Sequence, residues 1–203
     1  MKRLFSLIAF TVFFLAAGIL HSDLHIGLGL DFPAAYQSKS ASENGYTHNS
    51  QTDSGYEAFA EYLQPLIKFR NSTFSAGAGA AYIFALQSAY DLSDDLSYKN
   101  ERYGFIPLYL VGQYSNKMFY GKLKGGYNIF YANEEITDKT ELKNGIYAGL
   151  SGGLNLPFNF FLELSYQYFT GGFSYEYHSG CDWVFPTDIS QSGLAIIIGY
   201  QIK

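Results

Sequence analysis

Apolar and polar residues alternate along most of the chain after residue 22. The alternation has a period of two residues, which is the period of side chains on the two faces of a β-strand. Turn-forming residues interrupt it at intervals. The pattern predicts an all-β protein of eight strands, expected near residues 23–36, 55–69, 73–87, 103–114, 118–132, 144–156, 160–174 and 191–202.

The connections between these strands are alternately long and short. An antiparallel arrangement then gathers all the short turns at one end and all the long loops at the other. Two unlike ends and an even strand number are typical of an up-and-down outer-membrane β-barrel, although a soluble lipocalin-like barrel also has eight strands. The short turns are Arg70-Asn71-Ser72, Ser115-Asn116-Lys117 and Pro157-Phe158-Asn159, and the long polar connections are 37–54, 88–102, 133–143 and 175–190.

The two faces of the strands favour the membrane barrel. In seven of the strands, one face comprises 40 positions in all. None of them carries a charged, amide, histidine, serine or threonine side chain. The other face carries glycines and scattered polar groups, with too few charges for a surface in water. A charge that faces lipid at the bilayer midplane costs about 2–4 kcal/mol, and the interior of an eight-stranded barrel has room only for side chains. We therefore expect the apolar face to lie outside, against lipid.

The N-terminus indicates export. Met1-Lys2-Arg3 precedes a mostly apolar run that ends near Leu20, which is the pattern of a cleavable signal peptide. We expect residues 1–22 to be the leader, cleaved near 18–22, and 23–203 to be one barrel domain. The formal net charge of −5 becomes −7 without Lys2 and Arg3. The low charged fraction of 15%, the aromatic fraction of 19% and the 21 glycines exclude a disordered chain, a coiled coil and a nucleic-acid binder.

Six charged residues are expected to face the lumen. Buried charges must be paired, so the sequence predicts an internal ion-pair network that plugs the barrel. A narrow, mildly cation-favouring path for ions or small solutes is the alternative. The six residues are Asp31, Glu57, Glu61, Lys122, Lys124 and Glu163.

Two details concern the outer face. Aromatic residues cluster at both expected membrane interfaces, with Phe32, Tyr36, Tyr82, Phe84, Tyr103, Tyr131 and Tyr168 toward the long loops and Phe69, Phe74, Tyr114, Phe119, Phe160 and Tyr200 toward the short turns. In the second strand, strict alternation would put Lys68 into lipid. A β-bulge near Gln64-Pro65 would correct this.

The chain at this point resembles the small eight-stranded outer-membrane barrels, the OmpA transmembrane domain and the OmpX-like family. The resemblance covers residues 23–202 and includes the last strand, Gly193 to Ile202. It implies a monomer in the cell outer membrane, in contact with the bilayer and lipopolysaccharide and inserted by the barrel assembly machinery. Many relatives end in phenylalanine, whereas this chain ends in Ile202-Lys203.

The resemblance also raises the alternative of an enzyme that modifies lipid A. Such an enzyme needs a histidine with a hydroxyl or acidic partner near the outer rim, and the candidates are His48 with Ser50, and His178 with Ser179 and Asp182. The pattern around His48 does not match that of the deacylases, and neither set is expected to be catalytic. No cofactor or metal site is expected, because Asp91, Asp94 and Asp95 lack the spacing of a calcium loop.

The sequence therefore predicts a non-enzymatic outer-membrane barrel with a structural or surface-interaction, adhesin-like role. Its long loops are expected to contact any extracellular ligand. Trp183 and Phe185 in the last loop are the candidate contact residues, because exposed aromatic side chains often anchor a partner. Cys181, the one cysteine, excludes an intramolecular disulfide.

Overall fold

The computed structural model describes residues 22–32, 35–40, 47–51, 54–87, 102–132, 140–178 and 182–203. The predicted leader lies outside these residues except for Ser22. The strands are β1 (Asp23–Asp31), β2 (Ala35–Ser40), β3 (Thr47–Gln51), β4 (Gly55–Lys68), β5 (Ser72–Gln87), β6 (Arg102–Asn116), β7 (Phe119–Ala132), β8 (Thr140–Lys143), β9 (Gly145–Asn155), β10 (Phe160–His178) and β11 (Asp182–Ile202).

Eight of these strands close into an antiparallel barrel, as the sequence predicted. The order is β11-β1-β4-β5-β6-β7-β9-β10, and β10 pairs again with β11 to complete the circle. Sequential strands are therefore neighbours throughout, which is the up-and-down topology. Closure leaves no strand edge in the wall of the barrel, so the backbone N–H and C=O groups of the wall are paired between strands.

The strands are strongly staggered. The stagger is the offset that accumulates around the barrel. A path that starts at His25 and steps to the directly paired residue on each next strand reaches Gln191 on β11, after passing through β4, β5, β6, β7, β9 and β10. His25 itself pairs with Gln201, ten residues further along the same strand. A stagger of this size in an eight-stranded barrel requires the strands to tilt by roughly 35–45° from the barrel axis.

Strands extend beyond the predicted limits at the long-loop end. Stretches 37–54 and 175–190 were expected to be loops, which is wrong for much of their length. The register of β1 with β4, where Asp31 pairs with Gly55, continues unchanged into β2 and β3, where Ala35 pairs with Gln51. The hairpin of β10 and β11 runs to His178 and Asp182. Polar residues on both faces carry no alternation, so the sequence pattern could not reveal these ladders.

The short turns lie where they were expected. Residues 69–71 join β4 to β5, and residues 117–118 join β6 to β7. The side chain of Asn116 accepts hydrogen bonds from the backbone N–H groups of Met118 (2.9 Å) and Phe119 (2.7 Å). A 3₁₀ turn over Pro157–Asn159 joins β9 to β10, with φ of 60° at Phe158 and 64° at Asn159.

The predicted bulge in the second strand is confirmed. The register of β4 with β5 shifts between Pro65 and Ile67. After the shift Ile67 pairs with Phe74, a residue of the outer face, so the apolar side chain meets lipid. A second irregularity, between Ile83 and Leu86 of β5, was not predicted.

The outer surface of the barrel is apolar, as the alternation predicted. Large side chains stand exposed on it, among them Leu110 (72%) and Leu28 (65%). Tyr82 and Tyr131 stack with ring centroids 5.2 Å apart at the long-loop end. Tyr103 was placed in this girdle wrongly: it is 3% exposed and faces the lumen, because it follows the opposite alternation from Leu108 and Leu110.

Among the residues that the structure describes, no helix is long and apolar enough to span a membrane.

Gly199 faces the lumen, and its replacement by alanine tests how tightly the lumen is packed. A Cβ atom at Gly199 would collide with the ring of Phe161 and the backbone oxygen of Ile26. We expect Gly199→Ala to lower the free energy of unfolding by about 1–3 kcal/mol, because overpacked interiors are strained. Urea unfolding of the refolded protein in lipid vesicles measures the change.

Gly125→Ala is the matched control. It lies on the outer face, and an added Cβ would have no neighbour within 4 Å. Its effect should stay within about 0.5 kcal/mol. Equal losses in the two variants would contradict the lumen packing described here.

Candidate functional site

The charged residues that face the lumen come from four strands. Glu57 and Glu61 lie on β4, Lys122 and Lys124 on β7, Glu163 on β10 and Asp31 on β1. Residues two or four apart on a strand share a face, so each pair points inward together. Closure of the barrel then brings β4, β7 and β10 toward one another across the lumen.

Four of the six residues form one ion-pair network at the centre of the lumen. Lys122 Nζ lies 2.7 Å from Glu61 Oε2 and 2.8 Å from Glu163 Oε2. Lys124 Nζ lies 2.9 Å from Glu61 Oε1 and 3.0 Å from Glu163 Oε1. Each lysine thus bridges both carboxylates, and two positive charges balance two negative ones. The four side chains are at most 3% exposed.

Aromatic side chains enclose this network. Tyr109 Oη donates a hydrogen bond to Glu61 and Tyr120 Oη donates one to Glu163, both at 3.0 Å. The ring centroid of Phe59 lies 5.7 Å from Lys122 Nζ and 5.3 Å from Lys124 Nζ, within cation–π range. A buried ion pair repays its desolvation only when its remaining hydrogen-bonding capacity is satisfied, and the tyrosines contribute to that here.

The two other acids stand apart from the network. Glu57 accepts a hydrogen bond from Gln167 Nε2 at 2.8 Å, and Tyr147 Oη donates to Gln167 Oε1 at 3.3 Å. Glu57 is therefore held by an amide and makes no ion pair with the described residues. Asp31 makes none either within the described part of the chain, and its Oδ2 atom is buried there without a hydrogen bond.

Toward the long-loop end, the lumen is filled by aromatic rings. Phe105 and Phe169 stack with centroids 5.0 Å apart and planes 5° apart. Tyr103 stacks on Phe130 at 5.8 Å, and all four rings are buried. This aromatic layer was not predicted from the sequence, in which the inner face was interpreted as glycines and scattered polar groups. The signal was present, since Tyr103, Phe105 and Tyr109 follow the inward alternation of β6.

Toward the short-turn end, the lumen holds polar side chains among buried apolar ones such as Leu63 and Phe161. His25 and Gln113 are buried there, and His25 lies with its ring centroid 5.3 Å from that of Phe161. Both ring nitrogens of His25 lack a hydrogen-bond partner among the described protein atoms. The lumen thus has three zones: mixed polar and apolar side chains at one end, the ion-pair network in the centre and aromatic rings toward the other end.

Apolar side chains outside, a closed wall and charges gathered inside are the inverse of a water-soluble protein. The chain is a transmembrane β-barrel of the outer-membrane type. Barrels of this type lie in the outer membrane, with short turns at the periplasmic end and longer connections at the extracellular end. By this rule we expect the short-turn end of this barrel to be periplasmic and its aromatic zone to lie toward the extracellular side.

No protein-family model and no curated protein matches the chain. Solved outer-membrane barrels do match it in fold. The barrel is similar to Ail, the attachment invasion locus protein of Yersinia pestis, with 11% identity and a TM-score of 0.42 over 90% of this chain and 99% of that one. It is similar to the outer membrane protease OmpT from Escherichia coli, with 8% identity and a TM-score of 0.46 over 89% and 97% of the two chains.

The outer membrane protein AlkL, solved in DMPC lipid bilayers, is 15% identical with a TM-score of 0.46, over 90% of this barrel and 91% of that chain. Ail is an attachment invasion locus protein and OmpT is a protease. At such low identities, none of those roles transfers to this barrel.

The remaining candidates lie on the hairpins at the long-loop end. His48 and Ser50 belong to β3, and His178 pairs with Asp182 where β10 meets β11. Ser179 and Cys181 lie outside the described residues, as do the side chains of Trp183 and Phe185, whose backbones belong to β11. Among the described residues, no group of three or more His, Cys, Asp or Glu side chains is placed to hold a metal ion.

The network predicts coupled effects on stability. Glu61→Gln removes one carboxylate and leaves two buried lysines to share Glu163, so we expect a loss of about 3–5 kcal/mol in the free energy of unfolding. Adding Lys124→Met removes one of these lysines and leaves the pair of Lys122 and Glu163, at 2.8 Å, intact. The double variant should therefore lose less than the sum of the single variants. Urea unfolding in vesicles measures all three.

Lys143→Met provides the comparison at an exposed ion pair. Lys143 contacts Asp188 at 2.5 Å, with both side chains more than half exposed. Such pairs contribute about 0–1 kcal/mol, so the loss should be small. Additive losses for Glu61→Gln and Lys124→Met would show that the two residues do not act as one network.

Proposed function

We propose that this protein is a closed, non-enzymatic outer-membrane barrel with a structural or surface-interaction role, exported by its leader and inserted as a monomer by the barrel assembly machinery. The lumen serves to hold the barrel together. Any ligand is met by the extracellular hairpins. The closed lumen and the interacting outer end are supported by different observations.

The observation that carries the closed lumen is the neutral, fully buried network of Glu61, Lys122, Lys124 and Glu163. A hydrated ion that entered would have to displace a lysine from two carboxylates at once. Beyond it, the stacked rings of Phe105 and Phe169 occupy the extracellular half of the path. An ion that leaves water for such an apolar layer loses its hydration at high cost.

The outer end supports a role in surface contact. The ladder of β10 and β11 continues for ten residues beyond Tyr168, the last aromatic of the lipid-facing row on β10, which is about 33 Å of strand at ~3.3 Å per residue. On this hairpin Trp183 pairs with Tyr177, and Phe185 pairs with Tyr175. Four aromatic positions therefore adjoin, in the composition that anchors protein partners.

Charge indicates the class of partner. The long connections 37–54, 88–102, 133–143 and 175–190 contain thirteen acidic and five basic residues, a formal charge of −8. A cationic ligand complements this end, because opposite potentials steer association. Lipopolysaccharide phosphates would contact it through bridging divalent cations, which are hard ions that prefer oxygen ligands.

Single-channel recording in planar bilayers tests the closed lumen. The refolded wild type should give no steady conductance. Lys122→Ala combined with Lys124→Ala removes both bridging cations, leaves the carboxylates room to take up water and should produce a measurable, cation-favouring current. Lys143→Ala, at the exposed pair with Asp188, is the control and should remain silent.

A steady wild-type current that changes with either lumen lysine would overturn the closed barrel in favour of a narrow channel. Silence in the double variant would show that the aromatic zone closes the path alone. In that case Phe105→Ala in the double-variant background should open it.

The absence of lipid A chemistry is tested separately. The candidate residues lie on two different hairpins, with His48 and Ser50 on β3 and His178 and Asp182 on β10 and β11. We expect lipid A extracted from cells that express the protein to have the same mass spectrum as lipid A from cells that carry the empty vector. A new acylated or deacylated species that disappears with His48→Ala or His178→Ala would establish an enzyme.

A further inference from the structure

The charges of the barrel are divided between its two ends. Outside the leader, four basic residues lie at the short-turn end, Lys68, Arg70, Lys117 and Lys203, and we refer to them as the periplasmic rim. Asp23 is the acidic residue at this level, giving +3 for the end as a whole, against −8 for the long connections. An overall acidic chain thus presents a basic surface at one end.

The acid at this end is already engaged. Gln201 Nε2 donates a hydrogen bond to Asp23 Oδ2 at 2.8 Å. The four basic side chains of the rim are exposed, and the salt bridges among the described residues do not include them. Their charge is therefore directed to the surroundings of the barrel.

Large apolar side chains stand beside these charges at the turns. Phe69 (59% exposed) adjoins Arg70, and Met118 (62%) adjoins Lys117. Phe158, in the third turn, is 87% exposed and has a positive φ of 60°. Basic residues interleaved with exposed apolar ones are the composition of segments that lie in a membrane interface.

A cleft at the same level could hold a headgroup. It has a volume of about 510 Å³, and its lining includes the basic residues Lys117 and Lys203 and the amide residues Asn116 and Asn159. Asp23 also lines it, with its carboxylate held by Gln201. Phe160, which is exposed on the lipid-facing surface, forms part of its margin. Amine and amide N–H groups are donors suited to phosphate oxygens.

We propose that the periplasmic rim binds the phosphate of anionic phospholipids in the leaflet that surrounds the short turns. The cleft between the β6–β7 and β9–β10 turns takes one headgroup, and Lys68 and Arg70 attract others around the β4–β5 turn. The exposed side chains of Phe69, Met118 and Phe158 contact the same lipids. A soluble anion would gain nothing from these apolar groups, and their position favours a lipid as the ligand.

Spin-labelled lipids measure this preference directly. The refolded barrel is reconstituted in phosphatidylcholine with a trace of spin-labelled phosphatidylglycerol or spin-labelled phosphatidylcholine, and the immobilised fraction of each label is compared. We expect the wild type to favour phosphatidylglycerol by about threefold or more at low salt, since each lysine or arginine near an anionic surface attracts it. At about 1 M salt, where the screening length is about 3 Å, the preference should disappear.

Two matched variants locate the preference. Arg70→Gln with Lys117→Gln removes two charges from the rim and should reduce the ratio toward one. Lys139→Gln with Lys143→Gln removes two charges from the extracellular end and should leave it unchanged. Far-ultraviolet circular dichroism of each variant confirms that the barrel has formed.

A wild-type ratio near one would overturn the proposal, and so would equal losses in the two variants. Soluble glycerol phosphate at millimolar concentration should not compete. If it abolished the preference, the rim would be a site for free phosphate esters and the lipid assignment would be wrong. None of these outcomes depends on whether the lumen conducts, so the closed-barrel proposal stands or falls separately.

Discussion

A backbone N–H or C=O group that faces hydrocarbon without a hydrogen-bond partner costs several kcal/mol of free energy. This barrel pairs these groups between neighbouring strands, and the rest of the structure depends on that pairing. The eight strands of the wall close on themselves through the pairing of β10 with β11 and of β11 with β1. Closure has a geometric consequence, because strands staggered by ten residues must tilt and enclose a narrow interior. That interior must then be filled.

The filling of the lumen reconciles two opposing requirements. Charged residues cannot face the lipid, yet the interior is also removed from water. In the ion-pair network the opposite charges cancel locally, because Lys122 and Lys124 each bridge both carboxylates. Tyr109 and Tyr120 donate further hydrogen bonds to Glu61 and Glu163. Glycines such as Gly79 and Gly149 leave room for these long side chains. Aromatic rings complete the packing on the extracellular side.

The two ends of the barrel are chemically unlike because they meet different surroundings. The short turns carry exposed basic and apolar side chains, whereas the long connections at the other end are acidic. The division follows the topology, since an even number of antiparallel strands places every tight turn on the same side.

Much of this architecture is determined by the sequence alone. The alternation assigns residues such as Leu110 and Lys122 to opposite faces without reference to any contact, because the period of a strand is two. Pro65 likewise marks a bulge, because proline cannot donate to a ladder. These features depend on local backbone geometry and on the solvent that each face meets.

Other features are decided only by the tertiary structure. Glu57 and Glu61 are equivalent in sequence, yet the stagger of the strands places Glu61 against two lysines and Glu57 against Gln167. The aromatic zone arises in the same way, since Phe105 and Phe169 are 64 residues apart in number and stack only once the barrel closes. The polar extensions β2 and β3 also lack a sequence signal, because their polar residues show no apolar–polar alternation. Only the register inherited from β1 and β4 extends them. Pairing partners across a lumen are set by shear and closure, which no local pattern contains.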